Sequence, residues 1–225
     1  IYLDLTEDVF AAQQLISYNE FQARGSIMIP HCGLAPGSIS IIAASLARKF
    51  SKVIKMELMV GALPITVNNS LKYHLSWSTS GLVNEYCNVC PAIKDGTQMT
   101  LLPLEDYKQV CIDGTTYEAF NTSGGLGTLA DSVENDELVG IKFTPDVTVT
   151  YQTLRYPGHR DLMKFLLKEL KFEDRRWELV DILDKSLPRS VNDVIVMSAI
   201  VTGYKDNSSQ ESVEIYQRKI YSNPR

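Results

Sequence analysis

The spacing of apolar positions changes several times along the chain, and each change marks an element. Residues 1–5 alternate in a strand-like way. Thr6, followed by Glu7 and Asp8, supplies an N-cap with acidic first-turn residues for a helix to about Tyr18. A short strand over 26–29 stops at Pro30. The Pro/Gly turn His31-Cys32-Gly33-Leu34-Ala35-Pro36-Gly37-Ser38 then opens a helix to about Phe50, and 53–60 reads as a strand. From Tyr73 to Phe120 short runs are broken by Gly, Pro and Asn, and Ile112-Asp113-Gly114-Thr115 is a hairpin signal. Between Gly158 and Leu187 two amphipathic helices are expected. Leu162, Phe165, Leu166 and Leu170 share one face, and Trp177, Val180, Leu183 and Leu187 the other. Residues 193–204 and 211–221 form a long antiparallel hairpin across a polar loop. With no repeat, linker or low-complexity tract, the expectation is one α+β domain over residues 1–225. It would be a mixed, largely antiparallel sheet with helices packed on one face and the other face open to a second copy, giving a homodimer.

Composition narrows the partners. The chain is 44% hydrophobic and 22% charged, as in an ordinary globular protein, and its net charge is −5. Lys164 to Arg176 is the densest basic stretch, but Glu169, Glu173 and Asp174 interrupt it. A nucleic-acid partner, which needs clustered Lys and Arg, is therefore not expected. No apolar run approaches the roughly 20 residues of a membrane helix, so no membrane partner is expected either. Four cysteines without a secretory segment fit a reducing compartment, the cytoplasm by default. Ile1 opens directly on a strand pattern and Arg225 follows closely on another, as in a piece cut from a longer protein.

Several segments carry candidate chemistry. Gly125-Leu126-Gly127-Thr128-Leu129-Ala130 has the G-x-G-x-x-A form of a dinucleotide fingerprint. Its helix is too short for a crossover and no repeating βαβ units follow, so it reads as a turn whose backbone donors face a small anion such as a carboxylate. The C-x-x-C pair Cys87 and Cys90 reads as buried structural thiols, and the dispersed His31, His74 and His159 give no metal-ligand spacing. His31 and Cys32 precede a helix N-terminus, where an anion or a thiolate is favoured, and are candidate catalytic residues. Arg155 and His159 stand at a strand-to-helix junction, and Arg155 suits a substrate carboxylate through two parallel hydrogen bonds. A structural ion pair is the competing reading. No Ser/His/Asp or paired-carboxylate pattern supports a hydrolase.

Asp4-Leu5-Thr6-Glu7-Asp8, Cys32-Gly33-Leu34-Ala35-Pro36-Gly37, Ser76-Trp77-Ser78, Tyr117 to Gly125 and Thr153-Leu154-Arg155-Tyr156-Pro157-Gly158-His159 together resemble the saccharopine dehydrogenase and lysine 6-dehydrogenase family, in the same order and over nearly the whole chain. The resemblance implies the substrate-binding, dimer-forming domain of an enzyme whose separate Rossmann domain holds NAD or NADP. That enzyme transfers a hydride between the nicotinamide and an amine-bearing carbon. It also implies that Asp4, Thr6, Gly33, Pro36 and Gly37 face the nicotinamide, while Ser76, Trp77, Asn121, Thr122, Ser123, Gly124, Arg155 and His159 line the amino-acid pocket. Saccharopine-forming relatives often have Asn-Arg-Asp-Ser where this chain has Asn121-Thr122-Ser123-Gly124. Without that Arg a smaller substrate such as lysine competes with saccharopine. Two other readings stand beside the dehydrogenase: a self-contained nucleotide binder using the Gly125 turn, and a non-catalytic dimerisation module of the same shape.

Overall fold

A computed structural model describes residues 1–17, 25, 27–206 and 208–222. Tyr18 and Ser26, expected ends of the first helix and second strand, lie outside the described residues, as do Asn207 and 223–225. Strand β1 (Tyr2–Leu3) pairs in parallel with β2 (Met28–Ile29), with helix α1 (Val9–Ser17) between them in sequence. Asp8 caps α1 instead of Thr6. Its Oδ1 accepts from the Ala11 N–H at 3.0 Å, while the Thr6 hydroxyl accepts from the Asp8 N–H at 3.1 Å, one step too early to serve the helix.

The main sheet grows from helix α2 (Ser38–Ala47) into strand β3 (Lys52–Pro64), then after helix α3 (Thr79–Glu85) into β4 (Cys90–Lys94), β5 (Thr97–Leu101), β6 (Lys108–Ile112) and β7 (Thr115–Asn121). Helix α4 (Leu129–Glu134) precedes β8 (Phe143–Arg155). Helix α5 (His159–Lys164), a π-helical turn (Phe165–Glu169), a 3-10 turn (Phe172–Arg175) and α6 (Arg176–Ser186) lead to β9 (Asp193–Tyr204) and β10 (Glu211–Tyr221). The strand order is β10-β9-β3-β8-β4-β5. The far end of β8 pairs with β7 as well, and β7 with β6. All these pairings are antiparallel except β3 with β8, so the architecture is the expected mixed, largely antiparallel sheet.

Turn chemistry sets the registers. Asp113 and Gly114 take φ of 49° and 71°, the left-handed pair a two-residue hairpin requires. Asp95 and Gly96 repeat it between β4 and β5 at 50° and 72°. A side chain at Gly96 would also meet the Pro145 carbonyl oxygen at 1.8 Å.

Three apolar clusters hold the layers. One joins α2 and α4 to a sheet face through Ile39, Leu46, Met56, Leu58, Leu129 and Val201. A second gathers α3, α5 and α6 around Tyr73, Tyr86 and Phe120. On the opposite sheet face Met59, Leu63, Leu154 and Val196 pack against Ile112, Tyr117 and Ala119, so part of the face expected to be open is covered by the chain's own β6–β7 hairpin. Of the expected helical faces, Leu166, Val180, Leu183 and Leu187 do pack into the second cluster, and the rest differ. Met163 and Leu167 are buried where Leu162, Phe165 and Leu170 were expected, and Trp177 is 74% exposed while Leu179 and Leu183 turn inward. The buried face of α5 and the π-helical turn runs His159, Met163, Leu167, one step of four after another, and α6 starts afresh after the left-handed Lys171, so neither face follows from the other.

Candidate functional site

The parallel strands β3 and β8 end side by side, and antiparallel β9 begins beside them. A cavity of about 260 Å³ opens there, floored by Val60, Ala62, Tyr151 and Thr153. The carboxyl ends of parallel strands are a common place for ligands in α/β proteins. Leu5 and Glu7 from the loop before α1, and Gly33, Leu34 and Ala35 from the turn before α2, border it. Ser76, Trp77, Glu85, Arg155 and Asp193 complete the lining.

Arg155, 3% exposed, is fixed from below. Its Nε donates to the Tyr86 hydroxyl at 2.8 Å, Nη1 donates to the Leu154 carbonyl at 2.9 Å, and the guanidinium lies 5.2 Å and 5.8 Å from the ring centres of Tyr73 and Tyr86. Nη2 lies 4.0 Å from a carboxylate oxygen of Glu85. Behind it, the Nδ1 of His159 lies 2.8 Å from the Leu71 carbonyl, which can only accept, so Nδ1 carries the proton and Nε2 accepts from the Tyr86 hydroxyl at 2.9 Å. Each link in the chain Arg155 to Tyr86 to His159 to Leu71 thus pairs one donor with one acceptor. Burial, then the Arg155 charge, hold the His159 imidazole down to about 3. Burial pushes the Glu85 carboxyl up to about 8 despite Arg155, and Glu7 adds to the rise.

The structure brings Gly33, Ser76, Trp77 and Arg155 to this cavity and separates the other expected residues from it. His159 is fully buried with both nitrogens engaged, so it supports Tyr86 and cannot reach a ligand. Asn121 donates to Asp106 at 3.0 Å, and Thr122 shares a hydrogen bond of 2.9 Å with Thr153, one layer beneath the lining. The Ser123 N–H donates to the Glu85 carbonyl at 3.0 Å, and Gly124 backs onto Glu7. His31, Cys32, Pro36 and Gly37 border a second cavity of about 390 Å³ on the far side of the 33–37 turn, away from Arg155. Asp4 and Thr6 bond to each other within the loop, and their neighbours Leu5 and Glu7 take the cavity positions.

Packing accounts for the glycines of the Gly125 turn. A Cβ at Gly125 would lie 2.1 Å from the Tyr151 ring, and one at Gly127 would meet Pro36 and His31. Gly125→Ala is therefore expected to cost about 2 kcal/mol and to weaken ligand binding, because Tyr151 must shift into the cavity it lines. A urea titration together with ligand calorimetry checks this. Unchanged stability and affinity would show that the ring has room to yield.

Glu7, Glu85 and Asp193 are missing from the residues the sequence pattern nominates. One signal was present: Leu82, Glu85 and Tyr86 fall at i, i+3 and i+4 on one helical face, and an acid on an apolar face is a candidate for function.

The model of the saccharopine dehydrogenase C-terminal domain matches residues 33–220. The chain belongs to that family. Among solved structures, the apo histidine-tagged saccharopine dehydrogenase (L-Glu forming) from Saccharomyces cerevisiae is similar, with a TM-score of 0.66 at 16% identity over 88% of this chain. The chain spans 61% of that protein's length, and at such identity the likeness establishes the shared fold. In this saccharopine dehydrogenase-like domain of an oxidoreductase family, all of the Arg155 cavity's lining except Leu5 and Glu7 falls within the matched residues. Among the described residues no helix is long and apolar enough to cross a membrane, and no group of three or more His, Cys, Asp or Glu stands ready for a metal ion.

Proposed function

We propose that the chain is the substrate-binding and catalytic domain of an NAD(P)-dependent oxidoreductase acting on the C–N bond of a lysine-derived amino acid. The observation that carries this is the Arg155 cavity, where a rigidly held guanidinium and three carboxylates, Glu7, Glu85 and Asp193, meet beside an apolar rim. Arg155 gives a substrate carboxylate a fixed partner, and the carboxylates give its amino groups theirs. A cavity of about 260 Å³ lies at the small end for ligand sites and suits one amino acid. Three acids to one Arg favour lysine over the more anionic saccharopine.

The rim of Leu5, Gly33, Leu34 and Ala35 fits a flat nicotinamide ring, while the packed Gly125 turn offers nothing for a pyrophosphate. In this reading a separate Rossmann domain of the same protein holds NAD or NADP, which supplies a hydride acceptor when bound. This chain's residues orient the amino acid, exclude water and hold the amine's proton. Exposed apolar side chains at Leu3, Leu5, Phe10, Ile29 and Ile41 offer the second domain a docking face, and Val213, Ile215, Ile220 and Tyr221 on edge strand β10 offer one to a second copy, giving a cytoplasmic homodimer.

The test follows reduced nicotinamide in the full-length protein given NAD or NADP with L-lysine and with saccharopine. Turnover of either is expected. Arg155→Lys should raise the KM for the amino acid at least tenfold, since a lysine cannot reproduce two parallel hydrogen bonds. A change under about twofold, roughly 0.4 kcal/mol, would remove Arg155 from substrate binding.

A further inference from the structure

We infer that Glu85 is the proton acceptor of the cavity, taking one proton from the ammonium group of the bound amino acid. This rests on the amine-dehydrogenase reading above and names the residue that prepares the amine. An ammonium has no lone pair with which to expel a hydride from its carbon, so an N–H bond must break first, its electron pair staying on nitrogen while the proton moves to a base.

Three carboxylates border the cavity, and geometry separates them. Glu85 closes α3 from inside the protein, 7% exposed, with no side-chain hydrogen-bond donor among the described residues; the nearest cation, Arg155, stays 4.0 Å away. Glu7 and Asp193 are only partly buried and reach solvent, where water can hold their charge. Glu7 also sits over Gly81, where an added Cβ would lie 2.6 Å from its Oε1. Glu85 is therefore the acid at the dry end, beside the guanidinium that would seat a carboxylate. The groups facing it are Arg155, Glu7, Tyr73, Tyr86 and Tyr151, with the Cys90 thiol on the strand beyond, and Asp193 lines the same cavity on the side of Tyr73. Of these, Arg155 alone is cationic, and its Nε and Nη1 are already engaged by Tyr86 and Leu154. Burial holds the Glu85 carboxyl up at about 8, where a group can both accept and return a proton near neutral pH.

This arrangement has a proton count that calorimetry can read without turnover. At pH 7 the free protein carries the Glu85 proton and lysine arrives as an ammonium. In the complex the pair shares one proton fewer, wherever the remaining one sits. Titration of the full-length protein with L-lysine, and in parallel with saccharopine, without dinucleotide and in buffers of different ionisation enthalpy, should show release of nearly one proton per ligand bound at pH 7 and almost none at pH 9. Glu85→Gln should bind without release at either pH, and with dinucleotide its kcat should fall at least a hundredfold. Binding without release at pH 7, or equal release by Glu85→Gln, overturns the assignment and leaves the amino-acid site standing. Failure of both ligands to bind the unmodified protein overturns the parent reading and this one with it. The comparison of pH 7 with pH 9 needs no variant, so misfolding of Glu85→Gln cannot hide the answer.

Discussion

Tyr86→Phe is expected to destabilise the protein by about 4 kcal/mol, a large effect for one oxygen atom. The Tyr86 hydroxyl both accepts from Arg155 Nε and donates to His159 Nε2, and all three side chains are buried. Removing it strands a donor and an acceptor together, each at roughly 1–3 kcal/mol. Neither can escape cheaply. Arg155 does not lose its charge, and His159 is walled in with its other nitrogen committed to Leu71. Tyr73→Phe is the control, because the hydroxyl there accepts from one donor only, the Nε1 of Trp77, and Trp77 is a partly exposed side chain that lines the cavity. Its expected cost is about 1 kcal/mol. Urea midpoints for both variants decide the point, and similar losses would mean that the Arg155–Tyr86–His159 chain carries no special weight.

Glu85→Gln should have the opposite sign, stabilising the protein at pH 7 by about 3 kcal/mol. A carboxyl whose folded value stands at about 8 against an ordinary 4.5 holds its proton longer in the folded state than in the unfolded one. Its contribution is full below 4.5 and is lost as pH climbs towards 8, at about 1.4 kcal/mol per pH unit. Gln, which does not titrate, is spared that loss. His159 runs the other way: with its folded value near 3 against 6.5, its contribution is present above 6.5 and drains as pH falls. Between 4.5 and 6.5 the two slopes cancel, so this pair predicts a plateau there, with decline on both sides. The advantage of Glu85→Gln should be under about 1 kcal/mol at pH 5 and grow by pH 8. A difference that does not change with pH would show that Glu85 titrates normally. Such a gain in stability on removing a functional acid is the usual trade at sites built for chemistry.

The sheet was legible where local chemistry decides it. The terminal hairpin, residues 193–204 and 211–221, matches β9 and β10 because a long alternating run can pair in one register only, and Asp113-Gly114 dictates the turn between β6 and β7. Asp95-Gly96 carries the same signal and is equally readable. The helical faces were half legible: Leu166, Val180, Leu183 and Leu187 pack as expected, while Leu162 and Met163 are adjacent apolar residues between which spacing alone does not choose, and Met163 takes the inward place. At the site, Arg155 and the 33–37 turn were visible as a clamp residue and as Gly/Pro punctuation. Glu85, Glu7 and Asp193 were not, since three elements far apart in sequence deliver them. Which of two neighbours points inward, Leu5 and Glu7 or Asp4 and Thr6, depends on a loop's twist and not on composition.

The register of β3 against both neighbours slips between Val53 and Lys55, at the strand's beginning, whereas Val60 and Ala62, which floor the cavity, lie in the regular stretch near its end. Irregularity is absorbed some seven residues upstream of where geometry matters. The two ends of this strand therefore stand under unequal constraint: length changes near Lys52 can be soaked up by the bulge, while a single residue gained or lost beyond Lys55 would turn Val60 and Ala62 to the wrong side and take the floor out from under Arg155.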